Sequence, residues 1–297
     1  MDEPWRHERV TLRGGLGMHL ARAGSGPPMV LLHGFPECWY SWRHQLRALS
    51  DRHACVAPDL RGYGETDAPS GVANYTIEKL AGDVADLIAA LGRERAIVVG
   101  HDWGGVIAWA TALMRPEIVE RLIVLNCPHP RKYLATIRRD PRQMLRSWYI
   151  LFFQIPWLPE ALLRMRKAAL VGRMIRDSAY VKEAFSDDDL AHLREAFKNP
   201  YAATAAINYY RALMRRELWR PPPDHWTRRT IAAPTMLIWG EHDVALRKEL
   251  TFGMEGLFTG PFRLEYIPDA GHWVQQERPE RVNELIRTFL AETEAQS

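Results

Sequence analysis

Five short runs of apolar residues constrain the fold of this 297-residue chain more than any other feature. None of the runs alternates between apolar and polar residues, which is typical of strands buried on both faces of a parallel sheet. Stretches with a helical pattern lie between the runs. Strands that alternate with helices predict an α/β fold with right-handed crossovers. The runs lie at 29–32, 54–57, 96–99, 122–125 and 236–239.

The same patterns predict where functional side chains collect. A sixth, shorter strand is predicted near the end of the chain, and helices are predicted on either side of the runs. In open α/β sheets, functional groups gather in the loops at the carboxyl ends of the strands. The residues that follow each strand are therefore the candidates for chemistry. The sixth strand covers 262–267, and the helices cover 39–49, 77–91, 106–114 and 279–290.

Composition excludes several classes of protein. With 47% apolar and 25% charged residues the chain is typical of an ordinary globular protein, and its net charge of +3 is too small to indicate nucleic-acid binding. Three cysteines, Cys38, Cys55 and Cys127, do not make a disulfide framework and indicate a reducing compartment. The first residues carry no apolar signal segment, and the longest apolar run, 148–158, is too short to span a bilayer. We expect a cytoplasmic protein, either a monomer or a homodimer.

Charge is distributed unevenly along the chain. Residues 128–230 contain 20 basic and 10 acidic residues, a net charge of +10, whereas the rest of the chain has a net charge of −7. Proline-rich edges near Pro128 and at 221–223 bound this segment. We therefore predict a core formed by 1–127 and 231–297, with 128–230 inserted as a helical lid. Two interpretations of the basic lid stay open: arginine-rich solvated helix faces, or a field that steers anionic substrates to the site.

The strongest motif is Val-Gly-His-Asp-Trp-Gly-Gly at 99–105. An apolar strand runs into Gly-x-Asp-x-Gly before a helix, which is the pattern of a nucleophile elbow with Asp102 in the place usually held by serine. Small residues on both sides allow a tight turn that lifts one side chain above the sheet. Asp is also a common helix N-cap, so the motif alone leaves both roles open.

Two later loops favour the catalytic interpretation. Asp243 follows the strand predicted at 236–239, and His272 lies between the sixth strand and the last helix. The chain order nucleophile, acid, base is that of an α/β-hydrolase triad. After the first core strand, the His-Gly-Phe-Pro turn at 33–36 can direct the backbone N–H of Phe35 at the elbow. Together with the N–H of Trp103 it would form an oxyanion hole.

These motifs resemble the soluble type of α/β-hydrolase fold epoxide hydrolases. The similarity covers residues 10–290 and is carried by His-Gly-Phe-Pro-Glu-Cys-Trp-Tyr-Ser-Trp at 33–42, by 59–66, by Gly-His-Asp-Trp-Gly-Gly at 100–105 and by Gly-His-Trp at 271–273. The resemblance implies an α/β-hydrolase core with a mostly parallel central sheet and an inserted helical lid. It also implies a cis peptide between Phe35 and Pro36.

The chemistry implied is conversion of a small apolar epoxide and water to a vicinal diol, through a covalent ester on Asp102. A carboxylate suits displacement at an sp³ carbon because it attacks without first losing a proton. His272 would activate the water that cleaves the ester, and Asp243 would hold its tautomer. No cofactor or metal is expected, since the sequence has no metal-ligand spacing and no dinucleotide fingerprint.

Epoxide opening also produces an alkoxide that needs a proton donor, and a phenol with a pKa of about 10 stays protonated at neutral pH. The segments Trp-Tyr-Ile-Leu-Phe-Phe-Gln at 148–154 and Asn-Tyr-Tyr-Arg at 208–211 are similar to the donor-tyrosine segments of the family, which implies Tyr149 and Tyr210 as donors. Tyr209 is the competitor. Neighbouring helical residues point about 100° apart, so only one of the two is expected to face the site.

Two other functions stay open. Haloalkane and fluoroacetate dehalogenases share the Asp elbow. The resemblance gives haloalkane enzymes an Asn where this chain has Phe35, and fluoroacetate enzymes an acid where it has Asn126. A haloalkane or haloacid dehalogenase that uses the same Asp nucleophile is the first alternative. A non-catalytic ligand-binding protein of the same fold is the second, although a pure binder needs no set of nucleophile, base and acid.

Overall fold

The apolar runs form the centre of one sheet in the computed structural model, which describes residues 4–137, 139–218 and 229–295. Within these residues the strands are β1 (Arg6–Thr11), β2 (Gly17–Ala23), β3 (Pro28–Leu32), β4 (Ala54–Pro58), β5 (Ala96–His101), β6 (Val119–Leu125), β7 (Thr235–Gly240) and β8 (Phe262–Ile267). Their order in the sheet is β1-β2-β4-β3-β5-β6-β7-β8. The pairs β1–β2 and β2–β4 are antiparallel, and the other five pairs are parallel.

Both faces of the sheet are covered, which explains why the central strands lack alternation. Val30 and Leu32 of β3 pack into the core on one face, and Met29 and Leu31 pack into the core on the other. All four side chains are fully buried. The six predicted strands and the α/β fold class are therefore confirmed.

The sequence analysis missed the antiparallel strands β1 and β2. β1 is one of the two edge strands, and its residues, Arg-His-Glu-Arg-Val-Thr, are exposed or half-buried along its length. An edge strand has only one neighbour to pack against, so it needs no apolar run. β2 is almost fully buried, but its Gly, His, Ala and Arg residues do not form an aliphatic run.

Helices flank the sheet where the sequence predicts them. Among the described residues no helix is both long and apolar enough to cross a membrane. The predicted helix at 39–49 begins with a 3₁₀ turn (Trp39–Trp42), and the one predicted at 106–114 begins three residues earlier, directly after the elbow. Further 3₁₀ turns cover Val72–Asn74, Pro116–Ile118, Lys182–Ala184, Lys248–Thr251 and Glu255–Leu257. The core helices are α1 (Arg43–Leu49), α2 (Ile77–Ala90) and α3 (Trp103–Met114), with two more after β8 that are given below.

A long helical segment connects β6 to β7, although these two strands are parallel neighbours in the sheet. It contains α4 (Pro130–Ile137), α5 (Pro141–Arg146), α6 (Trp148–Phe152), α7 (Leu158–Ser178), α8 (Asp187–Glu195), α9 (Ala202–Ala212) and a π-helical turn (Leu213–Leu218). α7 is interrupted by non-helical backbone from Met165 to Ala168. The chain ends with α10 (Val274–Glu277) and α11 (Pro279–Glu294). The lid boundaries at 128 and 230 stay a prediction, and the proline edge at 221–223 lies outside the described residues.

Candidate active site

Asp102 lies on a tight turn between β5 and α3, at the carboxyl edge of the sheet. Its φ is +49°, a region that residues other than glycine rarely adopt. Two glycines permit the turn: a Cβ on Gly100 would lie 2.2 Å from the carbonyl oxygen of Gly104, and one on Gly104 would lie 2.0 Å from that of Leu32. Neither position has room for a side chain. The local sequence thus forces Asp102 to stand above the sheet edge.

The Asp102 carboxylate has a partner on each oxygen. The N–H of Phe35 donates to Oδ2 at 3.0 Å, and Nε2 of His272 lies 3.5 Å from Oδ1. Gly34 allows the loop to come this close, since a Cβ there would lie 2.5 Å from Cβ of Asp102. The peptide between Phe35 and Pro36 is cis, as the resemblance implies.

Trp103, the second predicted oxyanion-hole residue, is the first residue of α3. Its N–H has no preceding intrahelical carbonyl to bond to, as is general for the first turn of a helix. The N–H of Val106 donates to the carbonyl of Asp102 at 3.0 Å, so the helix begins at the elbow. Within the described part of the chain, the Asp102 side chain makes no capping hydrogen bond. The interpretation that Asp102 merely caps this helix is therefore wrong.

His272 lies between two carboxylates. Its Nδ1 is 2.7 Å from Oδ2 of Asp243, while its Nε2 faces Asp102. Asp243 is fully buried, and its Oδ1 accepts the N–H groups of Ala245 and Leu246, both at 2.8 Å. These bonds fix the carboxylate on the loop after β7. The structure thus brings together the three residues that chain order singled out.

The environment sets the charge of these groups. Burial would lower the pKa of His272, but the carboxylates of Asp243 and Asp102 hold it well above the ordinary 6.5. Burial would raise the pKa of Asp102, but the hydrogen bond and charge of His272, assisted by the Phe35 N–H, hold it below its ordinary value. Asp102 is therefore an ionised carboxylate at neutral pH, ready to act as a nucleophile.

Asn126 is a site residue whose structural role the sequence did not reveal. It follows β6 with a φ of +40°, which Asn tolerates better than most residues. Its Nδ2 donates to Oδ2 of Asp243 at 2.7 Å, and its Oδ1 accepts the N–H of Gly240 at 2.9 Å. From the sequence, Asn126 is only an amide at the position where fluoroacetate dehalogenases have an acid. In the fold it aligns the acid of the triad.

A second buried network supports the loop that carries His272. Nε2 of His101 lies 2.8 Å from the carbonyl oxygen of His272, and its Nδ1 lies 2.9 Å from Oε2 of Glu37. Oε1 of Glu37 accepts the side-chain amides of Gln275 and Gln276, at 3.2 and 2.8 Å. Glu37 and His101 are fully buried. Both belong to motifs that the sequence analysis quoted, but their partners lie far away in sequence, so no local signal identified their role.

The two candidate donors come from the helical segment. Tyr149 on α6 and Tyr210 on α9 pack edge to face, with ring centroids 5.7 Å apart. Burial raises the pKa of both phenols well above the ordinary value, so both keep their protons. The neighbouring Tyr209 faces elsewhere: its hydroxyl donates to the carbonyl of Arg61 at 2.8 Å, and its ring is fully buried.

Two cavities meet at Asp102, Tyr149 and Tyr210, which line both of them. The inner cavity is the smaller and more enclosed of the two, and the outer cavity is more open to solvent. Other residues of the inner wall are mainly apolar: Trp103, Val106, Cys127, Pro128, Pro130, Tyr133, Leu134, Ile150, Leu213 and Leu246. The outer wall also includes Phe35, Pro36, Arg146, Trp148, Phe153, Met174, Asp177, Ser178, Val244, Ala245, His272 and Trp273.

Burial raises the pKa of the cysteine thiols, so they stay protonated at neutral pH. Cys127 lines the inner cavity, but burial raises the pKa of its thiol well above the ordinary value. All three cysteines are buried and unpaired. In the described ranges, no group of three or more His, Cys, Asp or Glu side chains is arranged to hold a metal ion.

The known proteins that this chain resembles are α/β hydrolases, and several of them are epoxide hydrolases. A family model described as alpha/beta hydrolase fold matches residues 27–279. Human epoxide hydrolase 4 is 40% identical over 284 residues, which are 94% of this chain and 76% of that protein. The crystal structure of Bacillus megaterium epoxide hydrolase with an inhibitor has a TM-score of 0.86 and 28% identity, covering 96% of this chain and all of the other. An epoxide hydrolase structure from metagenomes of hot environments has a TM-score of 0.84 and 35% identity, covering 96% and 98% of the two chains.

Proposed function

The chain belongs to the α/β-hydrolase family, and from that premise we propose that it is an epoxide hydrolase with Asp102 as its nucleophile. One observation carries the proposal: a half-buried carboxylate with a histidine beside it and two protonated phenols share one cavity. Serine enzymes of this fold attack acyl carbon and have no use for phenolic donors opposite the nucleophile. Opening an epoxide, which is a strained ether, requires both a nucleophile for the carbon and a proton donor for the oxygen.

In the first step, Oδ1 of Asp102 attacks an epoxide carbon, because Oδ2 is already engaged by the N–H of Phe35. A C–O bond to the enzyme forms as the ring C–O bond breaks. The electron pair leaves on the substrate oxygen, which takes a proton from Tyr149 or Tyr210. The raised pKa of these phenols, caused by burial, keeps the proton available until the alkoxide develops.

In the second step, water cleaves the ester. Nε2 of His272 takes a proton from water, whose oxygen attacks Cγ of Asp102, and the negative charge moves to Oδ2 in the hole formed by the N–H groups of Phe35 and Trp103. Collapse breaks the bond between Cγ and Oδ1, and the departing alkoxide takes the proton held by His272 and leaves as the diol. The hydroxyl that water left on Cγ then loses its proton, which restores the carboxylate, and this proton returns to the tyrosinate formed in the first step.

The charges in the site determine at which step His272 can act as a base. In the resting enzyme the Asp102 carboxylate contributes to the raised pKa of His272. Esterification removes that negative charge, so the pKa of His272 falls when the covalent intermediate forms. The imidazole becomes a free base at the stage that needs one, while Asp243 still stabilises the cation that it then becomes.

The domain division belongs to the same proposal. Residues 1–127 and 231–297 form the α/β-hydrolase core and supply Asp102, Asp243 and His272. Residues 128–230 form the lid and supply Tyr149 and Tyr210. The apolar inner cavity favours a small apolar epoxide, with water as the only co-substrate and no cofactor. We expect a cytoplasmic enzyme, acting as a monomer or homodimer.

Trapping the intermediate tests the proposal. Replacing the base by His272→Gln should block only the second step, so the ester accumulates. Mass spectrometry after treatment with styrene oxide should show one added substrate mass per chain, on the peptide that contains Asp102. The matched control, Asp102→Ala, should show none.

Two results would count against the proposal. An inactive but unmodified His272→Gln protein would mean that Asp102 is not a covalent nucleophile, because a general base carries no adduct. An adduct formed with a haloalkane but not with styrene oxide would make the protein a dehalogenase.

A further inference from the structure

The helical segment between β6 and β7 exposes an unusual amount of apolar surface. Of the twelve large apolar side chains that are exposed in the described residues, eight fall within 144–165. Trp157 is 81% exposed and Leu145 is 74% exposed. Single exposed apolar residues need no explanation, but a concentrated group marks an interaction site. The eight, called the lid patch, are Met144, Leu145, Trp148, Leu151, Ile155, Trp157, Leu158 and Met165.

The lid patch includes residues on one side of two consecutive helices. The N–H of Ser147, which joins α5 to α6, donates to the carbonyl of Gln143 at 3.0 Å, as in a continuing helix. Met144, Trp148 and Leu151 then follow at spacings of four and three residues, which places side chains on the same face of a helix. Their neighbours Tyr149 and Ile150 face the cavities instead.

Positive charge surrounds the lid patch. Residues 140–177 contain seven Lys or Arg and three acidic residues. Glu160 is buried in an ion pair with Arg211 at 2.5 Å, Asp140 pairs with Arg247, and Asp177 is exposed. In the described part of the chain, the cationic group of Arg146 donates to the carbonyl of Asp243, and the cationic groups of the other exposed Lys and Arg residues of this range have no hydrogen-bond or ion-pair partner. These exposed cations are Arg142, Arg146, Arg164, Arg166, Lys167 and Arg173.

Charge decides between the surfaces that could cover the lid patch. In a two-fold pair of copies the same patch would face itself, so the two sets of cations would repel each other. An anionic phospholipid surface complements them instead. Exposed Trp and Leu side chains beside Lys and Arg are the composition of segments that lie in a bilayer interface without crossing it.

The lid patch adjoins the entrance to the site. Arg146 and Trp148 line the outer cavity, which reaches Asp102. An apolar molecule dissolved in a bilayer could therefore pass into the cavity without crossing open water.

We propose that the lid patch docks this protein on the surface of an anionic phospholipid bilayer, with the outer cavity opening towards the lipid. Trp148 and Trp157 insert at headgroup depth, and the surrounding cations contact lipid phosphates. Docking of this kind is a property of the surface, so it stands whether or not the site hydrolyses epoxides.

Vesicle binding tests the proposal. The full chain should co-sediment with vesicles of phosphatidylcholine mixed with phosphatidylglycerol, less so as salt rises, and not with vesicles of phosphatidylcholine alone. Arg142→Gln, Arg164→Gln and Lys167→Gln combined should lower the partition coefficient on the order of 100-fold, since each surface cation contributes about fivefold. Leu145→Asn combined with Trp157→Asn should lower it at least about tenfold through lost apolar burial.

Matched controls come from the core. Arg13, Arg52 and Arg93 are exposed there, and changing all three to Gln alters net charge by the same amount. Phe252→Asn removes an exposed apolar side chain outside the lid patch. Both controls should bind vesicles like the parent. All variants should keep the parent's melting temperature and its turnover of dissolved styrene oxide, because none of the changed residues lines the cavities.

Three results would overturn the proposal. One is absence of binding to the mixed vesicles, and another is an equal loss of binding in the core controls. The third is concentration-dependent association of the protein without lipid, seen in sedimentation velocity and abolished by Leu145→Asn with Trp157→Asn, because it would make a second copy the occupant of the lid patch.

Discussion

Tyr210→Phe removes one hydroxyl from the cavity wall and leaves the ring in place. The ring centroid lies 5.3 Å from that of Phe35 and 5.7 Å from that of Tyr149, and these contacts survive the change. Loss of one buried donor to a developing oxyanion costs about 2–4 kcal/mol, or on the order of 30- to 1,000-fold in rate. Because Tyr149 can still donate, we expect Tyr210→Phe near the lower end and Tyr149→Phe with Tyr210→Phe to abolish nearly all ring opening.

Tyr209, the residue next to Tyr210, supplies a matched control, because the same change there should lower stability and not the rate. Tyr209→Phe removes the hydrogen bond to the carbonyl of Arg61, which should cost about 1 kcal/mol of stability and lower Tm by about 2 °C. It should leave the rate of ring opening unchanged. Rapid-quench single turnovers with excess enzyme, with the ester quantified by mass spectrometry, isolate the first step from hydrolysis.

Either of two results would refute the assignment of the donors. The first is that Tyr209→Phe slows ester formation more than Tyr210→Phe does, which would mean that Tyr209 and not Tyr210 donates the proton. The second is that Tyr149→Phe with Tyr210→Phe forms the ester at a near-normal rate, which would mean that the alkoxide takes its proton from another group.

Three further predictions concern the acid of the triad, its amide partner and the basic lid. In the parent, the rate of ester decay should rise with pH as His272 loses its proton. Asp243 raises the pKa of His272, so Asp243→Asn should move this rise to lower pH and also slow the decay. Quenching the ester at a series of pH values measures both effects. Asn126→Ala should lower the free energy of unfolding by about 2–4 kcal/mol, because two buried hydrogen bonds are lost at a positive φ, as a denaturant titration will show. If the basic lid steers anionic substrates, kcat/KM for an epoxide that bears a carboxylate should fall as salt rises, while that for styrene oxide stays constant; equal profiles for both substrates would rule steering out.

The parts of the site that could be predicted are those encoded by consecutive residues. The turn at Asp102 requires glycines two residues before and two residues after it, and both are visible in the sequence. Asp243 and His272 can be predicted because parallel strands bring their carboxyl ends to one edge, so that residues distant in sequence become neighbours.

The parts that could not be predicted depend on contacts between distant segments. Tyr209 and Tyr210 share one helix and one residue type, and Tyr209 turns towards partners that are distant in sequence, such as the carbonyl of Arg61, 148 residues away. Likewise, Asn126 reaches Asp243 across 117 positions, and Glu37 reaches Gln276 across 239. A polar residue in a loop gives no local sign of such a partner.

The placement of the helical segment between two adjacent strands has a consequence for how this protein can change. β6 ends at Leu125 and β7 begins at Thr235, yet the two strands pair directly. The entropy lost in closing a loop grows only with the logarithm of its length, so lengthening a connection tenfold costs just about 2 kcal/mol. The core therefore tolerates a long connection between β6 and β7 almost as well as a short turn. Residues that shape the substrate cavity can be replaced wholesale over evolutionary time, while the strands that align nucleophile, acid and base keep their register.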